Sequence, residues 1–144
     1  MVEICYIKVL FIAIGISVGI AYLIYAKRRV NKYREEHYDT RDAIDYSVTF
    51  KSKQDNQTYD IESMIEVFEL IGTHLKINPN KIKLGDTIEL LEQCETDARE
   101  GFMFEVLDDI SCKYKAAKWA DYDNVRIVED IIELVNIYRK YKTS

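Results

Sequence analysis

The sequence predicts an all-α protein, with a single N-terminal transmembrane helix followed by a small bundle of three to four helices. Three observations predict it. Val9 to Ala26 is a run of eighteen residues without a charge. Beyond residue 59, apolar residues recur at steps of three and four in three long segments, the period of an amphipathic helix. No segment keeps up the two-residue alternation of a half-buried strand. The chain of 144 residues thus divides into an anchor (1–27), a juxtamembrane basic segment and linker (28–58), and an acidic helical domain (59–144).

The anchor comes first. At the helical rise, VLFIAIGISVGIAYLIYA spans about 27 Å, close to the hydrocarbon thickness of a bilayer. It is apolar on every face, a pattern that lipid or a deep core stabilises, and a domain this small has no deep core. Before the run stand Glu3 and Lys8; after it comes KRRVNKYR, with five basic residues and no acid. By the positive-inside rule the C-terminal part is cytoplasmic, which places the protein in the cell's inner membrane as a single-pass protein. Gly19 and Ala21 would suit a signal-peptide cleavage site, but the apolar run continues through Tyr22, Leu23, Ile24 and Tyr25, and the charge bias is inverted for secretion. An uncleaved anchor is therefore expected. Gly15 and Gly19 form a GxxxG pair, a candidate homodimer face; small residues are frequent in any membrane helix, so a plain anchor is the simpler expectation.

Cys5, Cys94 and Cys112 form no CxxC and no even-numbered framework, which suits a reducing cytoplasm; Cys5, near the membrane boundary, is at most an acylation site. His37 and His74 have no partners at diagnostic ligand spacing, so neither a metal nor any other cofactor is expected.

From Lys27 to Thr58 the composition is mixed-charge without a sustained apolar period, read as a helical continuation followed by a linker. Lys27, Arg28, Arg29 and Lys32 are candidate membrane-surface residues, each worth about 1 kcal/mol toward anionic headgroups. Asn56 to Thr58 form a glycosylation sequon, which has no meaning on the cytoplasmic side.

The domain opens with DIESMIEVFELIGTHLKI, an amphipathic helix with Ile61, Met64, Ile65, Phe68, Ile71 and Leu75 on one face, Asp60 as cap, and Glu62, Glu66 and Glu69 outward. Pro79 closes it, and Asp86 or Thr87 starts a short turn through IELLEQ. In TDAREGFMFEVLDDI, Asp97 and Glu100 have the spacing of a capping box, followed by an apolar face of Met103, Val106, Leu107, Ile110 and Tyr114. The connection KYKAAKWADYDN, in which Trp119 and Tyr122 are expected to cover one end of the core, leads to a last helix from about Val125 to Tyr141. Its stripe is Ile127, Val128, Ile131, Leu134, Val135 and Tyr138.

From Asp60 onward eleven Lys or Arg stand against eighteen Asp or Glu, a formal balance of −7. Such a domain repels phosphate backbones and attracts basic protein surfaces, so nucleic acid is not an expected partner.

The order of elements over Asp60 to about Tyr141 resembles the acyl carrier protein family. IESMIEVFELIGTHLKINPNKI resembles that family's first helix and the start of the loop after it, and IVEDIIELV resembles its last helix. The resemblance implies a small four-helix bundle whose second helix presents an acidic face to basic partner enzymes, and a phosphopantetheine arm on a serine in an Asp-Ser-Leu sequence. This chain departs from the motif: the serine's place falls on Glu100 or Thr96. Glutamate has no hydroxyl to carry a phosphodiester, Thr96 lies outside the usual context, and Ser111 sits well inside the helix. The resemblance therefore implies a carrier-like fold without a prosthetic group.

The expected function is a non-catalytic, membrane-tethered interaction module that docks a cytoplasmic protein bearing a basic patch. Glu100, Glu105, Asp108 and Asp109 are the expected docking residues, weighed against the plainer reading of a solvated, solubilising face. The alternatives are an unconventional membrane-anchored acyl or peptidyl carrier using Thr96, and an anchored immunity or exclusion protein. No Ser/His/Asp or Cys/His arrangement and no glycine-rich phosphate loop points to catalysis.

Overall fold

A computed structural model of the chain describes residues 2–52, 60–95, 101–115 and 124–142. The fold is all-α, with no strand among the described residues. Its helices are α1 (Val2–Arg34), α2 (Tyr46–Ser52), α3 (Ile61–Leu75), α4 (Ile88–Glu92), α5 (Phe102–Tyr114) and α6 (Val128–Lys142). α1 is long and apolar enough to cross a membrane, and none of its apolar window is buried by the rest of the protein.

The core lies where α3, α5 and α6 meet, and it follows the helical periods. Met64, Val67, Phe68, Ile71 and Leu75 of α3 pack with Val106, Leu107 and Ile110 of α5 and Val128, Ile131, Ile132 and Val135 of α6. Ile65 is only half-buried, and Val67 takes the inner position. Asp60 caps α3 as expected, its Oδ1 accepting from the Ser63 N–H at 2.7 Å. The helix closes at Lys76, whose left-handed backbone (φ 55°) lets its N–H reach the Gly72 carbonyl.

Of the two expected starts of the short helix, Thr87 is the one that caps α4, its hydroxyl accepting from Leu90 N–H at 3.3 Å. Two other boundaries differ from expectation. α5 starts at Phe102 behind Gly101 (φ 71°), later than a capping box at Asp97 would place it; that pair lies outside the described residues, as do Trp119 and Tyr122. α6 starts at Val128, not Val125, because the segment before it pairs with the approach to α4. Ile88 N–H donates to Arg126 O (2.9 Å) and Val128 N–H to Asp86 O (3.0 Å), around a lone bridge of Thr87 with Ile127. Asp130 Oδ2 then accepts from the N–H groups of Arg126 (2.7 Å) and Ile127 (2.9 Å), closing the first turn.

The largest departure concerns the juxtamembrane segment, read from sequence as a helical continuation and a linker. The helical part holds: α1 runs to Arg34 and adds a π-helical turn, Glu35–Asp39. From Val30 to Ile44 the chain straps the domain. Val30 and Tyr38 are buried in the core. Arg34 donates twice to Cys94 O, at 3.0 and 2.6 Å, capping the chain just after α4. Lys81 Nζ donates to Asp39 O, and Ile44 N–H donates to Asn80 O, both at 2.6 Å.

Candidate functional site

The expected docking face rests on α5, whose buried side (Val106, Leu107, Ile110) turns the intervening acids outward. Asp108 and Asp109 are exposed and Glu105 is partly exposed, so three of the four expected docking residues share one outer face. Phe104, 52% exposed, stands on the same helix. Glu100, the fourth, lies outside the described residues, and so does Thr96.

Two of these acids already have a partner that sequence reading missed. His74 reaches from α3 and sits between them, with Nε2 at 2.8 Å from Asp109 Oδ2 and Nδ1 at 3.4 Å from Glu105 Oε2. The Nε2 contact is a hydrogen bond, whereas the Nδ1 contact becomes an ion pair only when the ring carries a second proton. Among the described residues Asp108 meets only the Cys112 thiol one turn on, at 3.9 Å. It is the acid most available to an incoming cation. A shallow groove of about 440 Å³ runs beside His74 between α3 and α5, lined by Glu66, Leu70, Thr73, Asp109 and Lys113 among others.

At the far end of that groove Glu66, expected to point outward, is half-buried and joins three helices. Tyr114 Oη donates to both its oxygens (2.9 and 2.7 Å), Lys113 Nζ lies 2.8 Å from Oε1, and Arg139 of α6 reaches Oε2 at 3.5 Å while also pairing with Glu62. Burial, then the Glu66 hydrogen bond and charge, push the Tyr114 phenol up to about 12, so it serves as a donor at neutral pH. This cluster is a clasp between helices. The signal for it was weak in the sequence, since a single Glu at a partly inner position looks like any other solvated acid.

The Cys94 thiol is buried, and that burial pushes it up to about 11, too high to act as a ready nucleophile. No group of three or more His, Cys, Asp or Glu placed to hold a metal occurs among the described residues.

Of the expected membrane-surface residues, Lys27, Arg28, Arg29 and Lys32 are all exposed on the last turns of α1. Lys32 pairs with Glu36 at 3.6 Å, and Arg29 lines a second groove between α1 and α4. A side chain built on Gly15 or Gly19 would meet nothing within 4 Å, so that face of α1 is open.

No family model matches the chain, and no curated protein or solved structure matches it either.

Proposed function

We propose that the protein is a non-catalytic module tethered to the inner membrane by α1, which holds its helical domain on the cytoplasmic side and docks a protein partner with a basic patch. The observation that carries the reading is the pairing of a long helix whose apolar window is unburied with an acidic outer face on α5. The orientation rests on the basic cluster after the apolar run. Tethering raises the partner's effective concentration at the membrane without adding a contact.

In this reading His74 is part of the docking surface. By bracing Glu105 and Asp109 it lowers the entropy those side chains lose on meeting a partner, and it leaves Asp108 as the outermost charge. The carrier-like alternative turns on Thr96, which lies outside the described residues.

The test is affinity capture of the tagged full chain from solubilised membranes, comparing the natural chain with Asp108→Lys and with the triple reversal Glu105→Lys, Asp108→Lys, Asp109→Lys. The single change is the cleaner variant because it breaks no contact with His74. The captured partner is expected to fall away about fivefold with Asp108→Lys, to be lost with the triple variant, and to weaken as salt is raised. A partner retained equally by all three chains would remove α5 as the docking face.

A further inference from the structure

The groove between α1 and α4 has about 460 Å³ of free volume and lies where the apolar run ends. One wall is the membrane helix itself: Tyr22 and Tyr25, 69% and 67% exposed, then Arg29 one turn further on. The other wall is α4 and the residues just after it, presenting Glu89, Glu92 and Glu95, and Val30 is part of the lining between. The walls are held at this spacing by contacts just outside the groove, chiefly the two hydrogen bonds from Arg34 to Cys94 O.

Arg29, Glu89 and Glu92 are exposed, and none of them has an ion pair or side-chain hydrogen bond among the described residues. Charges of both signs thus face one cavity without neutralising each other, with the acids on the domain side and the cation on the membrane-helix side. Tyrosines at the end of a membrane span lie at headgroup depth. An anionic headgroup there would meet three carboxylates for one guanidinium. A zwitterion with a hydrogen-bonding ammonium meets each charge with its opposite, its phosphate on Arg29 and its ammonium on Glu89 and Glu92.

We infer that this groove binds the headgroup of a phosphatidylethanolamine lipid. The choline headgroup fits less well because its methyl groups donate no hydrogen bond to the carboxylates. The inference rests on the reading of α1 as a membrane span, and it reverses the simpler expectation that the basic collar merely attracts anionic lipid. A lipid seated here bridges the anchor to the domain and fixes the domain's height on the bilayer.

The test uses the full chain in nanodiscs of phosphatidylcholine containing equal amounts of phosphatidylethanolamine and phosphatidylglycerol, with native mass spectrometry of the lipids retained on release. The natural chain is expected to retain phosphatidylethanolamine over phosphatidylglycerol by about fivefold, the order that one charge contributes at a membrane surface. Glu89→Gln with Glu92→Gln is expected to bring that ratio near parity; both side chains are exposed, and circular dichroism should show the helices unchanged. Equal retention by the natural chain, an excess of phosphatidylglycerol, or a preference that the double variant leaves intact would overturn the site. A chain stripped from membranes by alkaline carbonate would overturn the span and the site together, whereas an embedded chain with no preference overturns the groove alone.

Discussion

Tyr38 is wholly buried, and its hydroxyl finds no hydrogen-bond partner among the described residues. A buried hydroxyl left unpaired costs about 1–3 kcal/mol, while its ring contributes packing and the face over which the Arg41 guanidinium stacks at 4.4 Å. Tyr38→Phe keeps the ring and removes the orphan oxygen. It is expected to raise the stability of the full chain in detergent by about 1 kcal/mol, read as a shift in the urea midpoint at unchanged slope. A lower midpoint would mean that the hydroxyl has a partner after all. Nothing in the local sequence marks this tyrosine as internal, because it stands among Glu35, Glu36, His37 and Asp39. His74 has the same character: its two acidic partners lie some thirty residues further along the chain and become neighbours only when α3 packs on α5.

At the scale of elements, the end of α3 depends on one small residue. A Cβ on Gly72 would lie 2.7 Å from Pro79 Cγ and 2.8 Å from the Ile77 carbonyl oxygen. The carbonyl belongs to the backbone just past the left-handed Lys76, where Ile77 N–H also returns to Gly72 O at 3.0 Å, so it has little room to yield. Alanine in a helix is favoured over glycine by about 1 kcal/mol, but the overpacking costs about 1–3 kcal/mol and wins. Gly72→Ala is thus expected to lower the melting temperature of the full chain by roughly 5 °C, measured by circular dichroism. An unchanged or raised value would show that the loop moves aside. Helices α3, α5 and α6 were legible from their apolar periods, and each exists where its stripe predicted. Their starts were less so, because α6 begins three residues late for a reason outside α6: Ile127 bridges to Thr87 instead of turning into a helix.

For the whole molecule, the decisive contact is the strap that joins the long apolar helix α1 to the domain. Asp86 is buried. Its Oδ2 accepts from Arg41 Nη1 at 2.6 Å and from Lys83 N–H at 2.9 Å, while Arg41 also donates to Lys81 O at 3.2 Å. Burial alone would lower the guanidinium's pKa, but the hydrogen bond and charge of Asp86 raise it overall, so the pair is a stable charged one. Removing one partner of such a pair strands the other. Asp86→Ala is expected to cost about 3 kcal/mol and to open the segment around Arg41 to limited proteolysis in detergent, whereas Asp86→Asn, which keeps an acceptor, loses less. Equal protection of Asp86→Ala and the natural chain would show that the strap is held elsewhere. The groove above depends on this strap as well, since it fixes how α1 meets α4.

What the sequence determined by itself was every feature written in local periodicity: the apolar span, the three amphipathic helices, the cap at Asp60 and the acidic balance of the domain. These follow from the spacing of side chains along one stretch, which needs no knowledge of neighbours. Only the tertiary structure decided that residues 30–44 brace the domain, that His74 sits between Glu105 and Asp109, and that Glu66 is a junction and not a solvated acid. Each of these joins polar or aromatic groups that are far apart in the chain, and such groups have no period to reveal them until packing brings them into contact.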